Sequence, residues 1–216
     1  METGQQPPTP PLVWYFDVIS PFAALAVPEI EELCDRHEVT FRPVLFAGLL
    51  KAFGHLGPAE IPAKRTQTYR IAQWIADERG IPFRTPPAHP FNPLALLRLL
   101  CVRDLSVADV AVAFWLVWGE GRNPESPETA AALADALGVP LEAANGPQVK
   151  DRLRSNTEAA VAAGVYGVPT LAIGDELFWG LDAMPMARAY LADPGLFASG
   201  EMARVSNLPM ATVRPR

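Results

Sequence analysis

Ser20 stands directly before Pro21, where the run Tyr15-Phe16-Asp17-Val18-Ile19 stops and an apolar spacing of three and four residues begins. A hydroxyl at the start of a helix can cap the free backbone N–H groups, or it can donate to an anion drawn there by their partial positive charge. The spacing Ser20-Pro21-Phe22-Ala23 is that of a Cys-x-x-Cys pair, in which a helix N-terminus lowers one thiol's pKa and the second thiol resolves the mixed disulfide. Both thiols are missing, which excludes dithiol exchange at this turn. Nucleophilic catalysis by Ser20 is also disfavoured: no Gly-x-Ser-x-Gly elbow surrounds it, and the only imidazoles are His37, His55 and His89. Two readings of Ser20 remain, a helix cap with proline at the first helical position or a donor to a negative charge that another molecule brings.

A second segment bears on the choice. Val168-Pro169-Thr170 enters a strand-like run, where a cis proline would expose the backbone of Val168 to an extended peptide and a trans proline would simply open the strand. Asp182 is placed either to cap the last helix or to face an ammonium group, and one carboxylate can do both. Lys51 closes an apolar run and reads by default as a solvated lysine. The two cysteines, Cys34 and Cys101, sit singly in helix-like stretches as buried thiols, and the three histidines show no ligand spacing, so no metal is expected.

The elements that must position these residues follow from periodicity. Leu12 to Phe16 and Val39 to Val44 read as strands, and the helical spacing of Phe22, Leu25, Ala26, Ile30 and Leu33 lies between them, which predicts a βαβ unit. From about Ala59 to Gly164 the pattern is helical, with Ser106 and Ser126-Pro127 as starts and Gly80, Gly138 and Gly164 as stops. Thr170 to Ile173 and Glu176 to Trp179 flank the turn signal Gly174-Asp175, and a final helix runs from Asp182 through Leu191. The order βαβ, helices, ββα is that of an α/β, thioredoxin-like fold interrupted by an all-helical domain. The expected divisions are a disordered tail over 1–11, a thioredoxin-like domain of 12–58 with 165–194, a helical insertion over 59–164 and a C-terminal tail over 195–216.

Composition bounds the partners. The 216 residues are half apolar, enough for a sizeable core, and the formal net charge of −6 gives none of the basic field that nucleic acid requires. The opening METGQQPPTPP lacks an apolar core of a signal peptide, and the stretch from Val107 to Trp118 is interrupted by Asp109 and falls short of a membrane span. The expectation is a cytoplasmic, soluble protein with a small-molecule partner.

The segments "YFDVISPFAALA", "RPVLFAGLLKAFG" with "PAEIPAKR", "HPFN", "EGRN", "NTEAAVAAGVYGVPT" and "GDELFWGLDAM" together resemble the 2-hydroxychromene-2-carboxylate isomerase family, a DsbA-like relative of kappa-class glutathione transferases. The resemblance spans roughly residues 13–192. It implies glutathione as cofactor, with Ser20 beside its sulfur, Lys51 approaching the tripeptide, the Val168 backbone next to Pro169 pairing with its cysteinyl segment, and Leu181 with Asp182 holding the γ-glutamyl end. It also implies that Lys64 meets a substrate carboxylate, that Asn92 bonds to ligand or loop backbone, and that the protein is a homodimer. Three departures stand out: His55 replaces the asparagine of a Gly-Asn step, Ala23-Ala24 replace a more polar pair, and Ala183 replaces an arginine.

The implied activity is a glutathione-dependent cis/trans isomerisation of an aromatic or unsaturated keto-acid, as in aromatic catabolism, with Phe22, Trp115 and Trp118 lining the substrate cleft. Two alternatives stay open: a kappa-like transferase or peroxidase, and a non-catalytic module that binds glutathione or a peptide.

Overall fold

The computed structural model describes residues 10–212. The tail expected over 1–11 lies outside the described residues except for Pro10 and Pro11, and Pro11 is tied down, its carbonyl accepting from the N–H of Gly174 at 3.1 Å.

Strand β1 (Leu12–Phe16) buries Leu12, Trp14 and Phe16 and leaves Val13 and Tyr15 half-buried, the alternation of a pleated strand with one face on the core. Helix α1 (Pro21–Cys34) carries the chain to β2 (Val39–Pro43), which pairs with β1 in parallel, Trp14 beside Phe41. Strands β3 (Thr170–Ile173) and β4 (Glu176–Trp179) form the expected hairpin about Gly174, whose φ of 60° suits a turn residue without Cβ. The sheet order is β2-β1-β3-β4, and β3 is antiparallel to both its neighbours. β1 thus lies between a strand that follows it closely and one that arrives after the whole helical block.

That block comprises α3 (Pro62–Arg79), α4 (Leu94–Leu100), α5 (Val107–Phe114), α6 (Pro127–Leu137) and α7 (Pro147–Ala162). It does not stand apart from the sheet. Phe114 of α5 lies 6.0 Å from Trp14 and 5.7 Å from Phe16, whose rings stack at 4.9 Å, so one core runs from the strands into the helices. Ser106 and Ser126 cap α5 and α6 as expected, and Gly80 and Gly138 end α3 and α6 in the left-handed conformation. On α3, however, Ile71 is 39% and Trp74 63% exposed, so two apolar residues of the helical pattern face outward.

Three further features depart from the sequence reading. Helix α2 (Phe46–Phe53) follows β2, where no helix was predicted; it is only 8 residues long, buries Leu49 alone, and its start has no capping side chain of its own. Asp182 does not cap α8 (Met184–Ala192): it sits exposed in a 3-10 turn, Leu181–Ala183, without a side-chain cap bond. The C-terminal tail contains α9 (Gly200–Ser206), and just before it Phe197 stacks on Tyr190 of α8 at 5.2 Å, which anchors the segment to the core. Among the described residues no helix is long and apolar enough to cross a membrane.

Candidate functional site

Ser20 is the N-cap of α1. Its Oγ accepts from the Ala23 N–H at 3.2 Å and donates to the Val168 carbonyl at 3.3 Å, and only 7% of the residue is exposed. The cap reading is borne out, and the same oxygen ties α1 to the Val168 carbonyl. Pro21 has no N–H and Ala24 N–H donates to Ser20 O, so in this first turn the Phe22 N–H is left without an acceptor among the described residues. A hydroxyl and a free amide at a helix N-terminus form a small anion-binding corner.

The wall opposite is the cis Val168–Pro169 peptide bond, which resolves the proline question. Val168 N–H also lacks an acceptor among the described residues, and Val168 is 8% exposed, so an edge of nearly buried backbone stands unpaired at this turn. The Pro169 carbonyl accepts from Gly180 N–H at 2.8 Å, which pulls the turn carrying Leu181 and Asp182 against the cis proline. Gly180 has φ 91° and ψ 163°, a conformation essentially restricted to glycine, and a Cβ there would lie 2.5 Å from Asp182 Oδ1. Leu181 is buried, and Asp182 presents its carboxylate to solvent.

Behind Ser20 lies Asp17, a residue the sequence reading passed over. It is fully buried, and its two oxygens accept from Ile19 N–H at 3.0 Å and from Phe46 N–H at 2.9 Å. Burial pushes its pKa up to about 7, against the two amide bonds that favour the carboxylate. Asp17, in the turn after β1, supplies the cap that α2 lacks, and its signal was an acidic residue inside an apolar run.

Helix α2 carries Lys51 in its last turn, where a cation complements the helix dipole, and His55 follows the left-handed Gly54. Both are exposed; the imidazole ring is 6.4 Å from Phe53. Lys51 lies about 8 Å along the axis from Phe46, at a rise of 1.5 Å per residue.

The remaining candidates fall differently. Phe22, two residues after Ser20, is half-buried against the main core. Lys64 is exposed in the first turn of α3. Asn92 spends its side-chain oxygen on Leu94 N–H at 3.1 Å, while its own N–H donates to Glu125, so its bonds go to loop backbone and a neighbouring carboxylate. Trp115 is 46% exposed with its indole N–H on Glu120. Trp118 is a correction: only 1% exposed, it stacks on Phe83 and donates to the Val18 carbonyl at 2.8 Å, so it supports the turn before Ser20 and does not line an open cleft. The reason is local: Val110, Phe114 and Trp118 follow at four-residue steps and all three are buried, so Trp118 continues the inward face of α5 into the π-helical turn Trp115–Gly119.

Neither cysteine can supply a thiolate here. Burial and the charges of Asp35 and Glu31 raise the Cys34 pKa, and burial raises that of Cys101 to about 11. Among the described residues no group of three or more His, Cys, Asp or Glu side chains could hold a metal.

The family model for the DSBA-like thioredoxin domain matches residues 12–192. The chain belongs to that family. Among DSBA-like proteins it is similar to the 2-hydroxychromene-2-carboxylate isomerase of Pseudomonas putida, at 30% identity over 183 residues that cover 80% of this chain and 90% of the relative. Human glutathione S-transferase kappa 1 is 26% identical over 205 residues, covering 83% and 89%. The solved structure of a 2-hydroxychromene-2-carboxylate isomerase superimposes with a TM-score of 0.75 at 27% identity, across 88% of this chain and 99% of that one. The DSBA-like fold read from the element order, and the resemblance to the isomerase and kappa-class proteins, are both borne out.

Proposed function

We propose that the protein is a glutathione-dependent isomerase of the 2-hydroxychromene-2-carboxylate type, acting on an aromatic or unsaturated keto-acid. One observation carries the reading: a hydroxyl and an uncommitted amide at the N-terminus of α1 face an uncommitted backbone edge at a cis proline, with no protein thiol at the turn. That arrangement fits a tripeptide that brings its own sulfur, and the names of the isomerase and kappa-class relatives are consistent with it.

In this reading Val168 pairs by its backbone with the cysteinyl segment. Ser20 Oγ–H turns from the Val168 carbonyl toward the sulfur, and the Phe22 N–H and the α1 dipole hold its negative charge. Asp182 takes the γ-glutamyl ammonium, Leu181 packs beneath it, and Lys51 with His55 takes the other end of the tripeptide. Bound glutathione would supply a thiolate that adds to the electrophilic carbon of a double bond and leaves again after rotation about the resulting single bond. The protein's own contribution is alignment and electrostatics, with Phe22, Lys64 and Trp115 on the substrate side. A homodimer in the cytoplasm acting in aromatic catabolism completes the proposal.

The test is titration of glutathione into the protein at neutral pH while following the ultraviolet thiolate band. A band that is present in wild type and lost in Ser20→Ala supports the reading; no band in wild type overturns it. The match to a kappa-class transferase favours one second reading, conjugation, and total glutathione separates the two. Isomerisation leaves the thiol concentration unchanged, whereas conjugation depletes it.

A further inference from the structure

Two consecutive peptide planes lead into Ser20, and each is held at both edges. In the plane between Val18 and Ile19, the carbonyl accepts from Trp118 Nε1 at 2.8 Å and the N–H donates to Asp17 Oδ1 at 3.0 Å. In the plane between Ile19 and Ser20, the carbonyl accepts from His89 Nε2 at 2.8 Å and the N–H donates to the Asp17 carbonyl at 3.0 Å. The inner edges are thus fixed by Asp17, and the outer edges by ring N–H groups that arrive 70 and 100 residues later.

The His89 tautomer follows from its partners. A carbonyl oxygen only accepts, so Nε2 bears the hydrogen, and Nδ1 accepts from the Tyr69 hydroxyl at 2.8 Å. Tyr69 belongs to α3, and Arg65, one turn earlier, donates to the His89 carbonyl at 2.5 Å. The imidazole is further enclosed by Phe91 and Trp118, at 5.6 and 5.5 Å. It is a rigid strut between α3 and the turn, with no free nitrogen for proton transfer.

We propose that His89, braced by Tyr69, is a positioning residue for Ser20: by fixing the plane between Ile19 and Ser20 it sets the direction in which the Ser20 hydroxyl meets a bound sulfur. The proposal rests on the glutathione reading for its consequence but not for its structural content. His89→Leu removes the donor, and His89→Gln keeps an N–H at the place of Nε2.

Two measurements on the full chain separate the claims. In the ligand-free protein, His89→Leu should speed hydrogen exchange of the Ser20 amide at least tenfold while the amides of β1 keep wild-type rates, and His89→Gln should restore it. With glutathione bound, the sulfur's pKa should rise by about one unit in His89→Leu, a tenfold loss of thiolate at a given pH, with S-methylglutathione affinity unchanged within twofold. If His89→Leu does not fold, Tyr69→Phe carries both comparisons, since it removes the brace and leaves the ring. Unchanged Ser20 exchange in the folded variant overturns the strut. A wild-type protein without a thiolate band overturns the glutathione reading alone, and the exchange result then still decides the strut.

Discussion

Ser20 Oγ and the Val168 carbonyl oxygen share a hydrogen bond of 3.3 Å between positions 148 residues apart. In the resting protein the hydroxyl hydrogen is therefore directed at the backbone edge opposite, not at the space in front of α1. In the proposed complex, an incoming peptide N–H that took over the Val168 carbonyl would free that hydrogen, so docking of the backbone and donation to the sulfur would be one exchange.

Ser20→Ala removes both the cap of α1 and this cross-link. Loss of an N-cap side chain costs about 1 kcal/mol, and the unpaired Val168 carbonyl adds to it, so urea unfolding should show a loss of roughly 1–2 kcal/mol. Ser20→Cys should instead place a thiol at the helix N-terminus with a lowered pKa, and mass spectrometry should find it alkylated by iodoacetamide well before Cys34 or Cys101.

Asp17 gives the stability a pH dependence of defined sign. Its folded pKa, raised to about 7, lies above the unfolded aspartate value near 3.8, so between these the folded state holds a proton that the unfolded state has lost. The contribution is fully present below about pH 3.8 and declines as pH rises to about 7, at no more than about 1.4 kcal/mol per pH unit. Asp17→Asn should flatten this component in denaturant unfolding measured across that range. It should also destabilise the protein throughout, since the amide group turns a donor toward one of two backbone N–H groups.

The two tryptophans of the π-helical turn should part company. Trp118→Phe leaves the Val18 carbonyl buried without its donor and should cost about 1–3 kcal/mol. Trp115→Phe changes a half-exposed ring and should stay within about 0.5 kcal/mol. Chemical denaturation of both variants checks the contrast.

Gly180→Ala would force a side chain into a conformation available essentially to glycine and onto the Asp182 carboxylate. Strain of this kind amounts to about 1–3 kcal/mol. The variant should bind glutathione more weakly than wild type by calorimetry, and a wild-type affinity would remove Asp182 from the proposed site.

The parts of the fold that were legible share one property: their signal is local. β1, the α1 start at Ser20, the hairpin about Gly174 and the helices of the insert follow from spacing, and for α1, α5 and α6 from a serine cap within the same segment. Helix α2 was not legible because it is 8 residues long with one buried position, Leu49, too short for a helical period to show, and its capping carboxylate comes from Asp17, 29 residues earlier. The burial of Trp118 was legible in its four-residue spacing from Val110 and Phe114, whereas the π-helical turn that follows Phe114 has no such local signal. Among the site residues, the Ser20 hydroxyl bond to the Val168 carbonyl and the Gly180 N–H bond to the Pro169 carbonyl join segments that only the topology brings together, whereas the bond of Asn92 to loop backbone, one of its two expected roles, is local to the turn with Leu94.

The position of β3 has a consequence for biosynthesis. Because β3 pairs with β1 only after the intervening helices, both walls of the candidate site cannot meet until residue 170 and beyond have left the ribosome. A contact between such distant segments forms late, so a nascent chain carries the α1 terminus for the whole synthesis of the helices before the opposite wall can be laid against it.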